Sequence, residues 1–339
     1  MSILERARRT LAQRPGTLVL PEGEDERVVS AAARLHQSLP ARLLLLGRPE
    51  AVAELARRAG VPLAGIEIRD PADGAAASDL IEGYLARRPE AGAGVAARLV
   101  RRPLHHAGML LRLGIADAMV AGATCPTGRV IEAALMTVGL APGVTTPSSC
   151  FLMNVPHAAE PGPRTLLFAD CAVNVDPGAE ALADIGVASA ACYRELTGEE
   201  PRVAFLSFAT RGSARHPAVE RVRAAVAIAR QRLPQLLVDG ELQADAALSE
   251  RVAGLKVRDA SAVAGRANVL VFPNLDAANI GYKLVQYLGG AQALGPFLQG
   301  FARPVSDLSR GASVDDIVST AIVTLARAAT QPARSDSGT

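Results

Sequence analysis

Short, uninterrupted apolar runs alternate along the chain with longer segments whose apolar residues recur at helical spacing. Residues 17–21, 42–46 and 66–68 read as strands, with 42–46 buried, and helices are expected after the acid-rich turn at 22–27 and over 50–59. From 76 to 114 the pattern is helical throughout. Residues 117–123 form a strand that runs into a small-residue loop, and a helix then continues to residue 135. Pro142-Gly143 marks a turn and a candidate boundary. Beyond it, strands are expected at 148–155, 165–170, 202–207, 236–238 and 268–272, and helices at 178–196, 218–233 and 279–288. A last helical pattern covers 317–329, and the polar end, 331–339, is expected to be disordered. Alternation of this kind predicts an α/β fold with mainly parallel strands joined by crossover helices.

The stretch Asp307-Leu-Ser-Arg-Gly-Ala-Ser-Val-Asp-Asp316 lies between an apolar run and that last helix. It reads as a strand-to-helix turn relieved by Gly311. A helix N-terminus presents unpaired N–H groups and a partial positive charge, which suits an anion. Arg310 adds a planar fork of donors fitted to phosphate. Ser309 adds a hydroxyl, and Asp315 and Asp316 add carboxylates. The same spacing fits a capping box with Ser313 as N-cap and Asp316 reaching back to it. Spacing alone therefore leaves both a capping and a catalytic part open for Asp316.

With 339 residues the chain suggests two domains or one large α/β unit, and 49% hydrophobic against 3% aromatic residues makes the core aliphatic. A net charge of +2 gives no reason to expect a nucleic acid or a membrane as partner. Cys125, Cys150, Cys171 and Cys192 are scattered, without CxxC spacing or paired histidines, which argues against zinc and against a disulfide framework. Adjacent His105 and His106 point to different faces of a helix and do not converge on a metal. The loop at 124–129 lacks a P-loop lysine and a GxGxxG fingerprint, although its backbone amides suit an anion. The start of the chain has no signal-peptide core, and no apolar run is long enough to span a bilayer, so a soluble cytoplasmic protein is expected.

Several ordered motifs resemble the phosphate acetyltransferase (phosphotransacetylase) family over nearly the whole chain. They are Leu20-Pro-Glu-Gly-Glu-Asp-Glu-Arg27, Phe168-Ala-Asp-Cys-Ala-Val-Asn174, Leu206-Ser-Phe-Ala-Thr-Arg-Gly-Ser-Ala214, Asp239-Gly-Glu-Leu-Gln243, Asn279-Ile-Gly-Tyr-Lys283, Gly295-Pro-Phe-Leu-Gln-Gly300 and Asp307-Leu-Ser-Arg-Gly311. The resemblance implies two α/β/α domains with mainly parallel sheets, an active site in the cleft between them, and a homodimer. Residues 1–143 with 300–330 would form the first, discontinuous domain and 144–299 the second. It also implies reversible transfer of an acetyl group between coenzyme A and phosphate, with acetyl-CoA, phosphate and acetyl phosphate as small-molecule substrates. No permanently bound cofactor and no metal are implied. Carried onto matching positions, Asp316 resembles the base for the thiol proton, Ser309 a hydrogen-bonding partner of the reacting groups, and Arg310 the phosphate clamp. Arg87 resembles a second ligand-binding arginine. Where the family pattern has a histidine and, seven residues on, an arginine, this chain has Cys125 and Glu132. Arg129, one helical turn before Glu132, is expected to supply the missing charge. Two alternatives stand beside this reading: a phosphate acyltransferase for a propionyl or butyryl group, and a non-catalytic acyl-CoA-sensing domain. A dehydrogenase of the isocitrate type would need an aspartate cluster and a nucleotide loop that the sequence does not contain.

Overall fold

The computed structural model describes residues 2–73, 77–156 and 164–330. The expected disorder of 331–339 falls outside them. The chain divides into two compact units, Met1–Ala141 with Phe301–Thr339, and Pro142–Gly300.

The first unit opens with α1 (Ile3–Gln13), closed at its start by a Ser2–Glu5 capping box. There follow β1 (Thr17–Leu20), α2 (Glu26–Ser38), β2 (Arg42–Leu46), α3 (Pro49–Ala59), β3 (Glu67–Arg69), α4 (Ser78–Arg87), α5 (Ala93–Val100), α6 (Pro103–Leu113), β4 (Ala118–Ala121) and α7 (Thr127–Thr137). The helix expected throughout 76–114 is thus three helices. Pro89 and Gly92 separate the first two, and Pro103 begins the third at its first turn, where a missing N–H costs nothing.

The second unit contains β5 (Ser148–Val155), β6 (Arg164–Ala169), α8 (Ala179–Thr197), β7 (Arg202–Leu206), α9 (Pro217–Arg232), β8 (Leu237–Leu242), α10 (Ala244–Leu248), α11 (Glu250–Lys256), β9 (Val269–Val271), α12 (Leu275–Gly289) and β10 (Gln292–Gln299). The chain then returns to the first unit with β11 (Val305–Asp307) and α13 (Val314–Thr330).

In the first unit the strand order is β3-β2-β1-β4-β11, and each pair is parallel. The Leu-rich β2 is buried over its last four residues, as a strand covered on both faces requires. The chain runs from β1 outward through β2 to β3, then returns to place β4 on the other side of β1. That reversal creates a switch point, and loops at the carboxyl ends of β1 and β4 diverge there. Helix α13 packs on α1, α2 and β4, and the Ser306 and Thr324 hydroxyls bond at 2.7 Å to fix it against β11.

The second unit has the order β10-β5-β6-β9-β7-β8. Its β6, β9, β7 and β8 are parallel, but β5 runs antiparallel to both β10 and β6. Strand β10 was not expected, because Gly295-Pro296 interrupts its apolar run. The pair instead forms an irregularity in the register between Leu294 and Phe297. Phe151, Phe168, Leu206, Leu270 and Tyr282 belong to this unit's core, with the Phe151 and Tyr282 rings stacked at 4.3 Å.

Candidate functional site

Three loops leave the carboxyl ends of β1, β4 and β11 in the first unit and are joined by polar side chains. Glu22, just past β1, accepts the N–H groups of Gly122, Ala123 and Thr124, each at 2.8 Å, and the Thr124 hydroxyl at 2.6 Å. A carboxylate thereby shapes the β4–α7 loop by satisfying its amides. Gly122 has φ +106°, and a Cβ there would stand 2.2 Å from Asp307 Oδ1, so this close approach needs glycine.

Asp307, the last residue of β11, is buried. Its Oδ2 accepts the Thr127 hydroxyl at 2.5 Å, while Oδ1 is buried with no partner of hydrogen-bond geometry among the described residues. Burial, assisted by the nearby Glu22 charge and only partly offset by Thr127 and the Leu308 N–H, pushes its carboxyl up to about 7. Burial and then Glu22 push the Cys125 thiol up to about 12. Cys125 is therefore a protonated thiol at neutral pH and a poor nucleophile.

The β11–α13 turn carries the residues singled out from sequence. Ser309 is exposed, and its Oγ accepts the Gly311 N–H at 3.3 Å. The Arg310 side chain is exposed and has no partner among the described residues. Asp316 does form the capping box: its Oδ2 accepts the Ser313 N–H at 2.9 Å and the Ser313 hydroxyl at 2.7 Å, and its own N–H donates to Ser313 Oγ at 3.2 Å. Only Oδ2 is engaged. Oδ1 has no partner among the described residues and Asp316 is exposed, so the capping bond leaves one oxygen open for chemistry. Asp315 is occupied by an ion pair with Arg34 at 2.7 Å.

Ser309, Arg310 and Asp316 thus lie together on one turn. The other two arginines do not lie on it. Arg129, in the first turn of α7, pairs with Glu132 at 3.5 Å on an exposed face. Arg87 ends α4, and its guanidinium lies against Gly139 beyond the other end of α7; a Cβ on Gly139 would meet Nη2 at 2.0 Å. Those ends are about 15 Å apart along the helix. Arg87 has no hydrogen-bond or ion-pair partner among the described residues, and burial, with Arg112 and Arg88 beside it, lowers its pKa.

A cavity of about 480 Å³ opens beside these loops, lined among others by Pro21, Glu22, Leu46, His105, Cys125 and Arg129. It lies outside the strand ends at the switch point, the usual ligand position in an open parallel sheet. The sequence reading missed Glu22, Arg27 and Asp307 as parts of this site. The first two fall in the acid-rich turn before α2, and their signal was only their place in the 20–27 motif.

An open parallel sheet with a cavity at its switch point is the architecture of an α/β enzyme. Residues 2–325 match the family model described as phosphate acetyl/butaryl transferase. The phosphate acetyltransferase of Clostridium acetobutylicum is 40% identical over 330 residues, 97% of this chain and 99% of the relative. That of Treponema pallidum is 43% identical over 331 residues, 96% and 98% of the two chains. Among solved structures, a phosphotransacetylase from Streptococcus pyogenes is 40% identical, with a TM-score of 0.90 over 97% of this chain and 99% of that one. One from Staphylococcus aureus is 37% identical, with a TM-score of 0.87 over 96% and 98%. The chain belongs to the phosphate acetyl/butaryl transferase family and is an acyltransferase.

Proposed function

We propose that this chain is a phosphate acetyltransferase, interconverting acetyl-CoA and phosphate with coenzyme A and acetyl phosphate. The observation that carries the reading is the β11–α13 turn, where an unpartnered guanidinium, a hydroxyl and a half-engaged carboxylate share one helix N-terminus. Arg310 and the α13 amides hold the phosphate group. In the direction of acetyl-CoA synthesis, Asp316 Oδ1 takes the proton from the coenzyme A thiol. The sulfur attacks the acetyl carbonyl carbon, the bond from that carbon to the phosphate oxygen breaks, and phosphate leaves toward Arg310. Ser309 donates a hydrogen bond to the reacting groups. Proton transfer that accompanies attack avoids forming a free thiolate first, and positioning supplies much of the acceleration. The high pKa of Cys125 favours direct transfer over an acyl-cysteine intermediate. Arg87 and Arg129 add positive charge for the substrates, and Arg129 lines the cavity. The mechanism calls for no permanently bound cofactor.

Asp316→Asn provides the test. Asn still accepts the Ser313 capping bonds, so stability should stay near wild type while kcat falls about 10²-fold or more. A folded variant with wild-type kcat would reduce Asp316 to a cap. Rates measured across acetyl-, propionyl- and butyryl-CoA fix the acyl group. A preference for the longer acyl chains would overturn the acetyl assignment.

The same proposal includes a homodimer in the cytoplasm. Ile280, Leu284, Tyr287 and Leu288 form one stripe on α12, and each is more than half exposed. Such a stripe suits a two-fold contact between copies. The four cysteines are scattered without CxxC spacing or the regular framework of a secreted domain, which suits a reducing compartment. A monomeric mass for wild type in light scattering, or an unchanged dimer in Tyr287→Glu/Leu288→Glu, would remove the α12 contact.

A further inference from the structure

A guanidinium has five N–H donors in a fixed plane, and all five of Arg27 are engaged. Nε and Nη2 donate to the two oxygens of Asp25 at 3.1 and 2.9 Å, fork against fork. Nη2 also donates to the Ala123 carbonyl at 2.8 Å. Nη1 donates to the carbonyls of Arg310 at 2.8 Å and Ala312 at 3.0 Å. Asp25 is itself the N-cap of α2, accepting the N–H groups of Arg27 and Val28. The fork is thus anchored at a helix start. From there one side chain ties together the loops that follow β4 and β11, far away in sequence.

The two carbonyls on the β11–α13 turn flank Gly311. Glycine gives that turn more backbone freedom than any other residue would. Two fixed carbonyls on either side of it remove that freedom, and they lie between Ser309 and Ser313, on whose placement the Arg310 fork and the open Asp316 oxygen depend. Lysine, with three donors and no plane, cannot make this set of contacts. A guanidinium with every donor engaged also has none left for a substrate phosphate.

We propose that Arg27 is a positioning residue, a brace that sets the geometry of the Ser309–Asp316 turn rather than a cation that meets substrate. The inference rests on the assignment of Ser309, Arg310 and Asp316 to the reaction, as proposed above.

Arg27→Ala and Arg27→Lys are tested together. The brace predicts a kcat lower by about 10²-fold, the size of effect that small misplacements produce, with KM for phosphate and acetyl-CoA within about twofold. Added guanidinium should restore part of the rate of Arg27→Ala, and methylammonium should not. Hydrogen exchange at the Ala312 N–H, which donates to the Ser309 carbonyl at 2.8 Å, should quicken in both variants. If Arg27→Ala does not fold, Arg27→Lys, which keeps the charge and the stem, decides through the same split. Raised KM with kcat intact would make Arg27 a ligand cation and overturn the proposal. Wild-type kcat with unchanged Ala312 exchange would make it a surface ion pair. Full activity in Arg310→Gln and Asp316→Asn, with faster Ala312 exchange in Arg27→Lys, would overturn the assigned reaction residues and leave the brace as architecture alone. Inactive Arg310 and Asp316 variants with an unaltered Arg27→Lys would remove the brace alone.

Discussion

Each unit buries an aspartate where a strand ends, and the two are treated in opposite ways. Asp170, just past β6, receives six donors: the N–H groups of Ser149, Ala172, Val173 and Asn174, the Ser149 hydroxyl and the Asn174 amide. Asp307, ending β11, receives the Thr127 hydroxyl, and its Oδ1 is buried with no partner of hydrogen-bond geometry among the described residues. The first is a hub that folds a loop around itself. The second keeps a proton near neutral pH and lies two residues before Ser309. Complete satisfaction builds a rigid corner, whereas incomplete satisfaction leaves a buried group whose protonation the fold must carry.

Removing the hub is the most severe way to break the comparison. Asp170→Ala leaves four backbone and two side-chain donors without an acceptor and should destabilise the protein by about 5 kcal/mol, read by chemical denaturation. A loss under about 1 kcal/mol would mean that solvent replaces the carboxyl group and that no hub exists.

Asp307 comes next. Its native carboxyl binds a proton up to about pH 7, while the unfolded one releases it near 3.8. Between those values the unfolded state holds fewer protons, so stability is greatest below the lower value and falls as pH rises toward the upper one. The fall from this group is about 4 kcal/mol. Asp307→Asn should flatten that limb of the Tm–pH curve and raise Tm at pH 8. An unchanged slope would show that Asp307 is not the group responsible.

Arg310→Gln removes the free fork from the turn. A charge-assisted bond of about 1.5–3 kcal/mol corresponds to a loss in kcat/KM for phosphate of roughly 10- to 150-fold. Equal kinetics in the variant would leave Arg310 a solvated arginine. Arg129→Ala should do least, because Glu132 already draws on its charge at an exposed site. A KM rise of about fivefold or less is expected, with a stability change of a few tenths of a kcal/mol. A rise well above tenfold would show that Arg129 leaves Glu132 for the substrate.

Much of the first unit and its turn could be read from local signals. The apolar runs that became β1, β2 and β4 are continuous because both faces are covered. The Ser313-Val-Asp-Asp316 box announces α13 within four residues. The strand β10 was hidden because Gly295-Pro296 resembles a break rather than a bulge. Glu22 and Arg27 were hidden for another reason: the Glu22 partners Gly122 and Ala123 lie 100 and 101 residues away, and the Arg27 loop partners Ala123, Arg310 and Ala312 lie 96, 283 and 285 away. Periodicity and capping rules see only neighbours, so such long-range links emerge once the sheet order brings three strand ends together. Asp307 combined both problems, since a carboxylate in a polar-looking turn gives no local sign that it will be buried.

Cys125 has a consequence for life among small thiols. A sulfur held protonated to about pH 12 beside Glu22 has almost no thiolate with which to attack a disulfide. Oxidised coenzyme A that reaches Cys125 should therefore find a sulfur slow to exchange with it. The enzyme should keep its mass and its rate after incubation with coenzyme A disulfide, and a coenzyme A adduct on Cys125 in the mass spectrum would refute this. A site with this lining should pass thiol substrate turnover after turnover without capture as a mixed disulfide.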